Sequence, residues 1–227
     1  MQILIILIGF FLIRISLYFV SKYLIKNNNG FVFDIKKMTL FDLVNILLYV
    51  LFYFRIENIL ISSNIFFNSL IIFCSEIFIT YGLALSYWDL KTKMVPDLLN
   101  VITFISGLFM IEIYFNNFSY LTNVFIIIGV SSFIFRFFLP IIFRREVMGE
   151  GDLLFLGLLG GLLGLKYFFV GLFLASLIYL LVYFYLFLIE KRKENILPFI
   201  PILYVTFFVL WFIHPLEILF SIILFNY

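Results

Sequence analysis

The sequence predicts an all-α fold, a polytopic bundle of transmembrane helices with about eight spans. Of the 227 residues, 65% are hydrophobic and only 12% are charged. Such a chain is too apolar for a water-soluble domain to cover with polar surface. Its apolar residues form runs close to the roughly 20 residues that a helix needs to cross a membrane, and the charged residues lie mostly between these runs.

The runs follow one another without a linker or an internal repeat, so we expect a single integral membrane domain over residues 1–227. The first run has no cleavage site before Arg14 and Lys22, and we expect it to be retained as a span. The second and sixth runs are short, which a kinked helix or a locally thin bilayer accommodates. The predicted spans are residues 2–21, 40–56, 66–88, 98–115, 119–142, 153–165, 167–189 and 196–213, and residues 216–226 form either an interfacial helix or the end of the last span.

Basic residues divide the connections between these runs into two kinds. Eleven of the fifteen Lys and Arg residues lie in alternate connections, and the intervening connections hold only Lys166. By the positive-inside rule, the basic connections face the cytoplasm and the N-terminus faces outward. The sequence thus predicts a multi-pass protein of the cytoplasmic (inner) membrane. The eleven residues are Lys22, Lys26, Lys36, Lys37, Lys91, Lys93, Arg144, Arg145, Lys191, Arg192 and Lys193.

Cysteine and histidine are scarce, and this excludes several classes of function. The chain has one cysteine, Cys74, and one histidine, His214. One cysteine cannot form a disulfide within the chain, and these two residues cannot close a zinc site. We therefore expect no metal and no cofactor. The net charge of +2 is too small to indicate nucleic acid, whereas the apolar runs make the lipid bilayer an expected partner.

Two acidic motifs stand at the ends of apolar runs, Trp88-Asp89-Leu90 and Gly149-Glu150-Gly151-Asp152. Carboxylates are costly beside hydrocarbon, so such residues are candidates for function. Two predicted spans separate Asp89 from Asp152, and both are therefore expected on the cytoplasmic side. Two carboxyls within hydrogen-bonding range share a proton, activate water and protonate a leaving group, which is the chemistry of aspartic proteases. Taken singly, either aspartate could equally be a helix cap or a solvated loop residue.

The residues around the two aspartates fit such a site. Gly149 and Gly151 allow backbone angles that other residues resist and permit another chain to approach closely. Pro96 disfavours helix at Val95, so a short loop should precede the next span, and Asp97 is expected to cap that span. The glycines after Asp152 include pairs spaced by four, a pattern that lets membrane helices pack closely; they are Gly157, Gly160, Gly161 and Gly164.

These motifs resemble the bacterial type IV prepilin leader peptidases, which are membrane aspartyl proteases of the GxGD type. The resemblance rests on Trp88-Asp89 with Val95-Pro96-Asp97, on Gly149-Glu150-Gly151-Asp152, and on Leu197-Pro198-Phe199-Ile200-Pro201, and it covers about residues 40–201. It implies that Asp89 and Asp152 are the catalytic pair. The implied substrate is a type IV prepilin or a pilin-like protein, cut after a short basic leader at the cytoplasmic face of the membrane.

The sequence departs from many members of that family at two places. Many members have a cytoplasmic domain after the first span, with paired cysteines that bind zinc and a second activity, methylation of the new N-terminus. Here residues 22–39 form only a short loop without cysteine, which favours a form with peptidase activity alone. Leu154 stands where many members have lysine, a change that leaves the acid pair intact.

Three other functions are compatible with paired acids in a membrane protein. A protease of the signal-peptide-peptidase or presenilin type shares the GxGD motif, but its aspartates lie deeper in the membrane, whereas Lys91 and Lys93 follow Asp89 at once. A proton-coupled transporter also uses paired acids, without proteolysis. A structural assembly subunit would tolerate the loss of both aspartates.

Overall fold

The computed structural model describes residues 11–18, 22, 38–57, 65–93, 95–115, 118–144, 148–188 and 197–211. All regular structure in these residues is helical, which confirms the predicted all-α class. Most of the predicted loop at residues 22–39 and the apolar tail at 216–226 lie outside the described residues. The helices are α1 (residues 11–18), α2 (Met38–Glu57), α3 (Ile65–Thr92), α4 (Asp97–Phe115), α5 (Phe118–Ser132), α6 (Leu139–Phe143), α7 (Glu150–Leu188) and α8 (Ile200–Trp211).

Three helical stretches of the described chain are long and apolar enough to cross a membrane. They are Asn68–Thr92, Phe118–Phe143 and Glu150–Leu188, and α8 is a shorter apolar helix. The protein is therefore a membrane protein. The first two stretches agree with the predicted spans at residues 66–88 and 119–142, and the count of eight spans stays a prediction.

Internal contacts divide the chain into two compact units, residues 1–118 and 119–227. In the first unit, α3 packs against α2 and α4. Polar side chains pair within this apolar unit. The Asn45 amide nitrogen lies 3.0 Å from the Thr80 hydroxyl oxygen, and the Ser16 and Tyr81 hydroxyl oxygens are 2.7 Å apart. Hydrogen bonds between helices are the way in which polar groups are satisfied away from water, so α3 is linked to both α1 and α2.

In the second unit, the helix that starts at Phe118 widens before it ends. Residues Phe133–Phe138 form a π-helical segment in which the Leu139 N–H donates to the Ile134 carbonyl, and α6 follows. Pro140 explains this irregularity, because proline has no N–H to bond the Arg136 carbonyl and its ring crowds that group. Large apolar side chains on this stretch are more than half exposed, as expected for a lipid-facing surface; they include Phe133, Phe137, Phe138, Ile141 and Ile142.

Helix α7 is broken at Gly164, whose backbone is non-helical with φ 74° and ψ 161°. A straight helix of 39 residues would be about 58 Å long, roughly twice the thickness of the hydrocarbon core. Instead the chain folds back. A Cβ placed on Gly160 would lie 3.1 Å from the Phe168 ring, and one on Gly171 would lie 3.7 Å from Leu163 Cδ1. The two halves agree with the separate spans predicted at residues 153–165 and 167–189.

Glycines bring the first half of α7 into close contact with α5. A Cβ on Gly157 would overlap the Ile128 side chain and lie 3.2 Å from the Val124 carbonyl oxygen, and a Cβ on Gly160 would overlap Ile127. This is the close packing that the glycine spacing predicted. Helix α8 contacts both halves of α7, since Tyr204 stacks on Phe155 at 6.1 Å and a Cβ on Gly171 would lie 3.0 Å from Leu210 Cδ1.

Replacing Gly164 by alanine tests the conformational role of this residue. The conformation at Gly164 is one that essentially only glycine adopts, so we expect Gly164→Ala to lower the free energy of unfolding by about 1–3 kcal/mol. Gly129→Ala is the matched control, because neither glycine has an atom within 4 Å of an added Cβ. Gly129 lies inside a helix, where alanine is favoured by roughly 0.5–1 kcal/mol. Thermal unfolding of the purified protein in detergent measures both, and equal shifts would contradict the assignment.

Candidate active site

Asp89 lies in the last turn of α3 and is 6% exposed, next to the buried Trp88. The end of the helix is built by local hydrogen bonds. The Lys93 N–H donates to the Asp89 carbonyl at 2.9 Å, and the Thr92 hydroxyl donates to the Trp88 carbonyl at 3.0 Å. Lys93 has a φ of 56°, the left-handed conformation that commonly closes a helix. Asp89 is therefore held on a helix end that stops within four residues of it.

Pro96 and Asp97 start the next helix. The Pro96 carbonyl accepts a hydrogen bond from the Asn100 N–H at 3.1 Å, which is the first bond of α4. Asp97 is the first residue of α4 and is exposed. A carboxylate at this position is favourable because the N–H groups of the first turn and the helix dipole stabilise negative charge. The structure therefore puts Asp97 in the first turn of α4, one residue after the cap position, and Pro96 at the cap position between α3 and α4.

Asp152 lies in the first turn of α7 and is half-buried. Gly149 precedes the helix, and its carbonyl accepts from the Leu153 N–H over a long 3.4 Å. The Asp152 side chain turns back toward Gly149, because a Cβ on that glycine would lie 3.6 Å from Asp152 Oδ2. Gly149 and Gly151 have no positive φ; among described glycines only Gly164 does. Neither glycine thus uses the backbone freedom that it has, and their part in letting another chain approach closely stays a prediction.

Arg136 contacts the same turn from the π-helical segment. Its guanidinium Nη2 donates to Glu150 Oε1 in an ion pair, with the Arg136 side chain 46% exposed and that of Glu150 72% exposed. Sequence reasoning did not single out Arg136. Its position inside an apolar run could have indicated it, because an arginine in a membrane helix usually has a partner or a function.

Glu76 is a second buried acid on α3, but it is separate from Asp89. It is 2% exposed, and neither carboxylate oxygen has a hydrogen-bond partner among the described residues. It precedes Asp89 by 13 residues, or about 20 Å along the helix. It is therefore too far away to act with that carboxyl.

Within the described residues, no set of three or more His, Cys, Asp or Glu side chains could hold a metal ion. Cys74 is a buried free cysteine on α3, and His214 lies outside the described residues.

Asp89 and Asp152 stand at the ends of different helices, one in each compact unit, with α4 and the α5–α6 stretch between them in the chain. Residues 76–184 match the type IV leader peptidase family. Over these residues the chain is similar to the leader peptidases. The resemblance seen in the sequence is thus confirmed, and the matched segment contains every candidate site residue. Comparison with curated proteins and comparison with solved structures each found no match.

The family match supports a peptidase. It does not by itself assign the two carboxyls or the substrate, and the pairing of Asp89 with Asp152 stays a prediction. The matched segment covers just under half of the chain, from the middle of α3 to near the end of α7.

The variants Asp97→Asn and Asp89→Asn distinguish a carboxylate that only stabilises a helix start, Asp97, from the candidate catalytic acid, Asp89. Both changes replace a carboxylate by its neutral isostere. We expect Asp97→Asn to leave cleavage of a candidate prepilin unchanged and to cost about 0.3–1 kcal/mol of stability, because only its interaction with the helix dipole is lost. Thermal unfolding and a cleavage assay on the same preparations measure these effects. Loss of cleavage without loss of stability in Asp97→Asn would contradict its assignment as a residue that only stabilises the helix start.

Proposed function

We propose that this protein is a membrane-embedded aspartyl endopeptidase that removes the short basic leader from type IV prepilins or pilin-like proteins. Asp89 and Asp152 are its catalytic pair in this proposal. One observation carries it: both aspartates lie in the segment that matches the leader peptidase family, each within the terminal turn of an apolar helix. Two helical stretches separate them in the chain, so both fall on the same side of a membrane if each stretch crosses it.

The proposed reaction needs only two carboxyl groups and a water molecule. Water adds to the carbonyl carbon of the scissile peptide while its proton passes to the ionised carboxylate, and the protonated carboxyl donates its proton to the carbonyl oxygen. When the tetrahedral intermediate collapses, the C–N bond breaks, and the carboxyl group that took the proton from water gives that proton to the leaving amine. One hydroxyl of the intermediate becomes the new carbonyl and returns its proton to the other carboxylate. Both carboxyl groups then have their original protonation states.

The helix ends support different roles for the two aspartates. Asp152 lies in the first turn of α7, where free N–H groups and the helix dipole favour a negative charge. Asp89 lies in the last turn of α3, where the dipole has the opposite effect. We therefore assign Asp152 as the ionised carboxylate that accepts the proton of water, and Asp89 as the carboxylic acid that polarises the scissile carbonyl.

The positive-inside rule supports a cytoplasmic site in the inner membrane. Lys91 and Lys93 follow Asp89, and Arg144 precedes the Asp152 motif; all three are exposed. These residues belong to the basic connections, which are expected on the cytoplasmic side in an eight-span topology. A prepilin whose leader remains in the cytoplasm would reach such a site without crossing the bilayer.

The short loop at residues 22–39 supports a peptidase without the second, methylating activity. This loop contains no cysteine, whereas the zinc-binding domain of many leader peptidases uses paired cysteines. In this proposal the cleavage step requires neither a cofactor nor a metal, because the carboxyl pair supplies both the acid and the base.

Neutral replacement of either aspartate is expected to remove activity. Asp89→Asn and Asp152→Asn should each reduce cleavage by ~10³-fold or more, and the double variant should be no worse, because the pair acts as a unit. The measurement is the mobility shift of a candidate prepilin co-expressed with each variant, with membrane insertion checked on the same cells. Near-normal cleavage by either inserted variant would exclude the proposed pair.

Labelling of introduced cysteines tests the proposed sidedness. In a Cys74→Ser background, Lys91→Cys and Arg144→Cys should react with an impermeant maleimide only after the inner membrane is opened, whereas Asn116→Cys should react in spheroplasts. The two inward positions flank the two aspartate motifs. If they were labelled from opposite sides of the membrane, Asp89 and Asp152 could not form one site.

A further inference from the structure

The backbone at the start of α7 is loosely built. Glu150 is flanked by Gly149 and Gly151, which have no side chains to pack. The first backbone hydrogen bond of the helix, from the Leu153 N–H to the Gly149 carbonyl, is 3.4 Å long, beyond the usual range of about 2.7–3.2 Å for such a bond. A contact that fixes this turn bears on catalysis, because a misplacement of about 1 Å in a catalytic group can reduce a rate about 10²-fold.

The Arg136–Glu150 ion pair supplies a restraint from outside the turn. Glu150 is the first residue of α7 and lies two positions before Asp152. Arg136 lies in the π-helical segment that precedes Pro140, in the helix against which Gly157 and Gly160 pack α7. The turn is thus tied to the same helix that supports the rest of this half of α7.

The energetics favour a positioning role over a role in stability. Both partners are substantially exposed, and exposed ion pairs contribute little to stability. An arginine within an apolar membrane helix is costly, most of all at the helix centre. Stability alone does not account for an arginine at position 136, whereas orientation of the turn that carries Asp152 does.

We propose that Arg136 and Glu150 are positioning residues, whose ion pair orients the first turn of α7 so that the Asp152 carboxylate is held for the reaction. This inference rests on the proposed function, because it takes Asp152 as catalytic. The guanidinium also balances the charge of Glu150, which would otherwise stand as a second anion beside Asp152 on the same helix end. Neither residue is assigned contact with the substrate or with the reacting atoms.

The test is a double-variant cycle with kinetic readouts on the purified full-length protein and a prepilin-derived substrate. Arg136→Gln and Glu150→Gln should each lower kcat by roughly 10-fold to 10²-fold and leave KM within about twofold. The double variant should be no slower than the slower single variant, because residues that act through one contact are not additive. Arg136→Lys should recover part of the rate, as should the charge exchange Arg136→Glu with Glu150→Arg.

Lys166→Gln is the matched control, since it also removes one cation from the second unit. Lys166 is exposed, contacts the Tyr167 ring at 5.2 Å and lies beyond Gly164, so the rate should be unchanged. The melting temperature of every variant should stay close to that of the unchanged protein, because exposed ion pairs contribute little to stability. If Arg136→Gln fails to fold, Glu150→Gln removes the same ion pair from its other, more exposed side and keeps the test.

Several outcomes would overturn the inference. Single variants with normal kcat, alongside an inactive Asp152→Asn, would show that the ion pair does not position Asp152 although the catalytic assignment holds. A raised KM with unchanged kcat would place the pair in substrate binding instead. Strictly additive effects would show that the two residues act independently. Normal cleavage by Asp152→Asn would instead overturn the proposed function itself, so the two failures are distinguishable.

Discussion

Hydrocarbon offers no partner for a peptide N–H or C=O group, so a chain in a membrane must satisfy its backbone within its own helices. The described part of this protein follows that constraint, since its regular structure is helical throughout. Helix ends are then the places where backbone groups lack a partner within the helix. They are also where charged side chains can reach the membrane surface. The constraint that produces the fold therefore also decides where carboxyl groups can be placed for chemistry.

The positions of the helix ends depend on a few residues that interrupt the helical pattern. Pro96 separates α3 from α4, Gly164 reverses the chain within α7, and Pro140 accompanies the π-helical segment before α6. Each has a distinct physical cause: the missing N–H and the bulky ring in the prolines, and the absent Cβ in the glycine. Asp89 and Asp152 lie next to helix ends, so their environments follow from where the helices stop.

Close packing supports the helix that carries Asp152. Gly157 and Gly160 let α5 approach the α7 backbone, and the Phe155–Tyr204 stack joins the same half of α7 to α8. The first turn of α7 has fewer such packing contacts. It begins with a long hydrogen bond, and its first residue is preceded and followed by glycines. A closely packed helix with a glycine-rich start suits a site at which a peptide backbone must approach closely. The proposed role of the Arg136–Glu150 ion pair is to orient that start.

The sequence alone determined the class of fold, the acidic motifs and most of the helix ends, because these follow from local properties. The apolar runs predicted helices, Pro96 predicted the break before α4, and the run from Leu153 onward was correctly divided near Gly164. The family resemblance was also carried by short motifs that need no contact information. Which glycine adopts a positive φ does not follow from composition; among the described glycines it is Gly164.

Only the tertiary structure decided the contacts between residues far apart in the chain. The hydrogen bonds of Asn45 with Thr80 and of Ser16 with Tyr81, and the ion pair of Arg136 with Glu150, depend on how the helices pack. No local pattern encodes them, because the energy of such a contact depends on burial and geometry that neighbouring residues do not set. The sequence therefore determined where helices form and which groups stand at their ends, and packing decided which partners those groups meet.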